Sequence, residues 1–171
     1  MGPRPATERD LPAIASLHAA NWRAAYAGLV PDAALGAPLE DYMARTWTVD
    51  RLVRDRVTVI GEGELLGFAA ADPDHRDGPY LDNLHVAAEA RGQGLSRRLV
   101  ADLAATLGDR ALWLVVLAGN APTRAVYRAW GGIEGPVFDD EILGVTVPAL
   151  PVTFPDARAL ADRLGGGPGA I

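Results

Sequence analysis

The sequence predicts an α/β fold, and three stretches carry that expectation. Residues 56–72, RVTVIGEGELLGFAAAD, hold two β-rich runs divided by GEGE, the composition of a tight antiparallel hairpin. Residues 79–86, PYLDNLHV, read as a third strand. Beyond a glycine turn come a helical run from about Leu95 to Leu107 and the nearly all-apolar ALWLVVLAG of residues 111–119, which has the composition of a strand buried on both faces. Strand, turn, helix and buried strand in that order make a right-handed βαβ unit with parallel strands.

Upstream of the hairpin the pattern is helical. Thr7 stands where an N-cap is favoured and Asp10 can complement the helix dipole. Leu11, Ile14, Leu17 and Trp22 then recur at helical spacing until Gly28 stops the run. Residues 39–55, LEDYMARTWTVDRLVRD, suit one or two short helices, with Thr46, Thr48 and Val49 as the weak point. Downstream, Asn120 caps a further helix with Pro122 in its first turn and Gly131 and Gly132 at its end. Residues 135–154 supply one or two last strands, and Pro148 and Pro151 are expected to confine the second to an edge or a short length. Ala157, Leu160, Ala161 and Leu164 repeat helical spacing weakly. No repeat or long linker divides the chain, so residues 1–155 read as one domain and 156–171 as a tail, a short helix and then a frayed end.

Composition removes several chemistries. The 171 residues carry 16 basic and 22 acidic side chains, a formal charge of −6, which disfavours coating nucleic acid or binding an anionic membrane surface. Every basic residue is Arg, so there is no Schiff-base lysine, lysine nucleophile or P-loop lysine. Without Cys there is no disulfide, thiolate metal site or cysteine-borne acyl intermediate. His75 shares a polar loop with Asp72, Asp74 and Asp77, but their spacing is not that of a calcium loop, and no metal is expected. No apolar leader core opens the chain and no segment approaches the ~20 apolar residues that span a bilayer, so a cytoplasmic protein is expected.

The turn itself is EARGQGLSRRLV, residues 89–100. Gly92 and Gly94 let backbone N–H groups converge on an anion at the positive end of a helix, and Arg91, Arg97 and Arg98 add charge. A strand-to-helix turn also uses glycine for geometry alone. The dinucleotide fingerprint is excluded, because it needs glycine where Arg97 stands. Residues 84–100 instead resemble the pyrophosphate-binding motif of the GNAT superfamily of N-acetyltransferases: Arg or Gln, two residues, Gly, one residue, then Gly or Ala. Arg91, Gly94 and Ser96 fall on those positions, Ser96 being a compact departure. NAPTRAVYRAWGG, residues 120–132, resembles the family's later helix, and residues 4–32 resemble the opening of many of its members.

The resemblance implies a GNAT-like fold, a central mixed, mostly antiparallel sheet of six to seven strands with one parallel βαβ unit and helices on both faces. It implies acetyl-CoA as co-substrate, held at its diphosphate by Arg91, Gly92, Gln93, Gly94, Leu95 and Ser96, along its pantetheine arm by the main chain of Leu84 and Val86, and by Asn120 and Tyr127. Tyr127 is the implied general acid, since a phenol can donate to a developing thiolate. For the base, Asp82 and His85 can accept a proton, beside deprotonation through water or arrival of a neutral amine. Strand alternation puts Asp82, Leu84 and Val86 on one face and Asn83 and His85 on the other, unless the bulge that the resemblance implies changes the phase.

His18, Trp22 and Tyr26 share a helix face, a pattern equally suited to core packing. Similar enzymes border the acceptor pocket there, which makes Trp22, Tyr26 and Tyr80 the acceptor-site candidates. The implied reaction is direct attack of a primary amine, from a small molecule or peptide, on the thioester in a ternary complex. The other reading of the same fold is a non-catalytic CoA-binding sensor. No nucleic acid or membrane partner is expected, and the apolar last strands are compatible with a homodimer.

Overall fold

The predicted hairpin forms from β2 (Arg56–Ile60) and β3 (Gly67–Asp72), and it is apolar on both faces because helices cover both. The computed structural model describes residues 2–165, so the frayed end expected beyond them lies outside the described residues. The remaining strands are β1 (Arg4–Pro5), β4 (Tyr80–Val86), β5 (Leu112–Leu117), β6 (Ile133–Glu134), β7 (Phe138–Ile142) and β8 (Val145–Phe154). The helices are α1 (Leu11–Tyr26), α2 (Ala37–Thr46), α3 (Val49–Arg54), α4 (Leu95–Ala105), α5 (Ala121–Ala129) and α6 (Ala157–Gly165). All strands join one sheet in the order β1, β2, β3, β4, β5, β8, β6, with β7 also on β8, and β4 with β5 is the parallel pair. Six are substantial and two, β1 and β6, have two residues each.

Strand alternation sends Val57, Val59, Phe68 and Ala70 to one core, where Ile14 and Ala19 of α1 and Leu39 and Met43 of α2 cover them. Ile60, Ala69 and Ala71 point the other way, onto Leu99, Val100 and Leu103 of α4 and Leu160 and Leu164 of α6. The weak helical spacing at Ala157, Leu160, Ala161 and Leu164 thus corresponds to a packed helix in which those four residues are all buried. Thr48 divides α2 from α3: its side chain accepts the Arg51 N–H and caps the second helix.

Two expectations about strands change. In β5 only Leu112, Leu114 and Val116 are buried, while Trp113, Val115 and Leu117 are half-buried, because nothing seals the opposite face along its whole length. Strand β8 is ten residues long and lies inside the sheet despite Pro148 and Pro151. Each proline sits where a ladder is interrupted. The Pro148 carbonyl accepts from Ala118 N–H, so its nitrogen faces the β5 side just past the last register pair, Leu117 with Ala149. The Pro151 carbonyl accepts from Gly135 N–H, so its nitrogen faces the gap between β6 and β7. Neither missing N–H costs a ladder bond.

Behind the sheet lies a buried polar pair. His18 is 1% exposed and its Nδ1 accepts from Trp47 Nε1 at 3.1 Å, so its proton is on Nε2, a buried atom with no hydrogen-bond partner among the described residues. The His18 ring lies 4.4 Å from that of His85. Burial first, then the nearby charges of His85 and Arg51, holds His18 down to about 2; burial, then Arg91, holds His85 down to about 4.

Both histidines bind protons more weakly folded than unfolded, where the value is 6.5. Their contribution to stability is therefore complete above pH ~6.5 and is lost as pH falls below it, because the unfolded chain takes up the protons first. Urea unfolding between pH 6.5 and 5 should show a stability loss approaching two protons, and His18→Gln should cut that dependence by about half. A pH-independent stability across this window would contradict the burial of the pair. Gly132 gives a second test: a Cβ there would lie 2.5 Å from Val152 Cγ1 and 2.9 Å from the Tyr127 carbonyl oxygen. Gly132→Ala should cost about 1–3 kcal/mol in the same assay.

Candidate active site

Parallel strands β4 and β5 share one register pair, Tyr80 with Trp113, and then part. Strand β4 bulges where Ala70 pairs with Asn83 but Ala71 pairs with Leu81, which leaves Asp82 as the extra residue. The bulge shifts the phase. Leu81, Leu84 and Val86 meet the α4 side, whereas Asn83 and His85 lie opposite Ala70 and Phe68 on the α1 side. Between the diverging strands opens a cleft of about 740 Å³, lined by residues 81–86 of β4 and 114–117 of β5.

At one end of the cleft is the glycine turn. Gly92 and Gly94 have φ of 78° and 73°, and a Cβ at either would meet nothing within 4 Å, so the backbone conformation rather than space demands glycine. Gly94 is the N-cap of α4 and no side chain caps that helix, so its first amides keep their positive end toward the cleft. Arg91, Gly92, Gly94, Leu95 and Ser96 all line the space. Gln93 does not; its Nε2 donates to the Glu89 carbonyl at 3.5 Å. Arg97 also turns away from the turn it was expected to charge, donating to the carbonyls of Leu164 at 2.7 Å and Arg163 at 3.1 Å at the end of α6.

On the β5 side stand Asn120 and Tyr127. Asn120 caps α5 by accepting the Thr123 N–H at 3.2 Å and lines the cleft from that position. One helix turn pair further on, Tyr127 packs its ring 5.7 Å from Trp130 and 6.4 Å from Phe154, and burial pushes its phenol up to about 12. On the β4 side Asp82 has a side chain 39% exposed, and its Oδ2 accepts from buried Arg51 and, at 2.6 Å, from Asn83. Arg51 also donates to Asp55 at 2.9 Å and stacks 4.2 Å from the Trp47 ring. His85 lines the cleft too, its ring set against His18 and Phe68.

The far end is aromatic. Trp22 stacks on Tyr42, with centroids 5.1 Å apart and an angle of 25°, and Tyr26 meets Trp22 edge-on at 5.2 Å. Burial, with Asp140 nearby, pushes the Tyr26 phenol up to about 12. Tyr80 is not in the cleft wall: its ring packs 4.4 Å from Trp113 and 5.4 Å from His75. Tyr42 takes the place expected of it, Asn21 lines the cleft unforeseen, and Asn83, which cannot serve as a base, lines it too. No spacing in the sequence distinguishes these three, since each depends on how α1 and α2 dock against β4.

Among the described residues no helix is long and apolar enough to cross a membrane. A search of curated proteins finds no significant match. Among solved structures, the chain is similar to a ribosomal-protein-alanine N-acetyltransferase from Brucella melitensis, with 25% identity, a TM-score of 0.66 and coverage of 90% of this chain and 99% of that one. It is similar to the ribosomal-protein-S18-alanine N-acetyltransferase from Escherichia coli, with 22% identity, a TM-score of 0.64 and coverage of 90% and 92%. The PaiA N-acetyltransferase from Thermoplasma acidophilum, solved in complex with coenzyme A, matches with 16% identity, a TM-score of 0.70 and coverage of 86% and 96%. The model of the Acetyltransferase (GNAT) family matches residues 14–131, a span that holds the splayed strands, the glycine turn and the whole of α5, and the chain therefore belongs to the GNAT family of acyl-transferring enzymes.

Proposed function

We propose that this enzyme moves an acetyl group from acetyl-CoA to a primary amine of a small molecule or peptide, by direct attack within a ternary complex. The observation that carries the reading is that the bare N-terminus of α4 and the phenol of Tyr127 line one cleft between the same two parted strands. The amides of α4 with Arg91 suit a diphosphate, and the β5-facing edge at Leu84 and the Val86 N–H suits an amide-bearing pantetheine arm, the Val86 carbonyl being held by Asn21. The similarity to two ribosomal-protein-alanine N-acetyltransferases supports a peptide α-amine among the acceptors.

In this reading the amine nitrogen adds to the thioester carbonyl, the new C–N bond replaces the C–S bond, the thiolate leaves with a proton from Tyr127, and the proton that the nitrogen sheds on becoming an amide goes to water, from which the phenolate is reprotonated. Burial keeps that phenol protonated at neutral pH, as a donor must be. The amine enters past Trp22, Tyr26 and Tyr42, whose faces suit an ammonium. Asp82 is the group that holds this ammonium and receives its proton, directly or through water, since its carboxylate is partly exposed at the cleft wall. His85 is the weaker base candidate, because its Nδ1 lies 3.4 Å from the Asn21 amide and its ring is packed on another histidine.

Thiol release from acetyl-CoA against a panel of amines and peptides tests the reading. Tyr127→Phe should lower kcat by at least about 100-fold while the Kd for CoA by calorimetry changes less than about twofold. Undiminished turnover by Tyr127→Phe would remove the phenol from the mechanism.

A further inference from the structure

Asn21, on α1, bonds to both sides of the short 3-10 turn, Ala88–Ala90, that leads from the end of β4 into the glycine turn. Its Oδ1 accepts from Arg91 Nη2 at 3.0 Å, and its Nδ2 donates to the carbonyl of Val86 at 3.2 Å while lying 3.4 Å from His85 Nδ1. The carboxamide can sit only one way round. Flipped, its NH2 would meet a guanidinium that has no acceptor, and its oxygen would meet the Val86 carbonyl. Asp at this position would keep the shape but set an oxygen against that carbonyl, and an aliphatic side chain would lose every one of these contacts.

We infer that Asn21 is a positioning residue for acetyl transfer: its amide ties the arginine of the glycine turn to the Val86 end of β4, fixing the diphosphate end of the cleft relative to the strand that lies along the thioester arm. The inference rests on the acetyl-transfer reading. Its physical basis is that β4 has lost β5 as a neighbour over this stretch, so its cleft-side edge lacks the ladder that would otherwise hold it in place. Arg91 and α1 supply the restraint instead. Reaction rate, more than affinity, depends on such placement, because small displacements of a reacting group lower the population of attack-ready geometries.

The test compares Asn21→Ala and Asn21→Asp with the wild-type protein in thiol release, CoA calorimetry and thermal melting. Asn21→Ala should lower kcat about tenfold while the Kd for CoA stays within about twofold, because Arg91 remains for the anion. Asn21→Asp, which keeps the side-chain shape and the contact with Arg91, should lower kcat similarly and also weaken CoA binding about tenfold, because the carboxylate holds Arg91 as an ion pair. A purely structural role would lower the melting temperature and leave kcat per folded molecule and the CoA Kd unchanged in both variants; that result overturns the inference alone. A wild-type protein that releases no thiol with any amine overturns the acetyl-transfer reading and this inference with it.

Discussion

Parting of β4 from β5 is the constraint from which the rest of the site follows. Two parallel strands in register would spend their facing N–H and C=O groups on each other. Here the pairing ends after Tyr80 and Trp113, and the extra residue at Asp82 bends β4 away. What remains is a strand edge that no neighbouring strand pairs, facing a cleft inside the sheet rather than solvent at its rim, with only the Val86 carbonyl held, by Asn21. The same bulge decides which side chains meet which core, since it lets Leu81 and Leu84 share a face although they are three residues apart.

Such an opening needs support from behind, and the α1 side supplies it with buried polar contacts. Arg51 lies between Asp55 and Asp82 and over Trp47, Trp47 donates to His18, and His18 stacks on His85. Burying a guanidinium costs desolvation energy that its two carboxylates offset, so the cluster is better regarded as a device for specifying geometry than as a source of stability. It connects Asp82 at the bulge of β4 with His85 nearer the turn. The histidines remain neutral chiefly because burial disfavours their charged forms, with Arg51 adding to this at His18 and Arg91 at His85.

Much of this was legible in the sequence where local chemistry dictates local structure. The hairpin, the βαβ unit, the cap at Asn120 and the left-handed glycines of the turn each follow from a few neighbouring residues. What could not be read depends on distant partners. Pro148 and Pro151 look like strand breakers until the ends of β5, β6 and β7 show where their nitrogens face. Arg97 looks like added charge near the turn, or a side chain facing water, until α6 presents two carbonyls to it. Tyr80 and Tyr42 are equivalent as exposed-pattern aromatics, and only the docking of α2 beside α1 makes Tyr42, rather than Tyr80, part of the cleft wall.

The central claim is that a diphosphate-bearing thioester lies between the parted strands with its anion at the start of α4. Titrating the 15N-labelled chain with CoA and following its amide resonances tests this most directly. The account predicts saturable shifts concentrated at residues 92–96 and at Leu84 and Val86, with residues of the opposite sheet edge such as Val57 and Val59 unmoved. Saturable binding that leaves residues 92–96 unperturbed, or no shift at millimolar CoA in a folded sample, would contradict it.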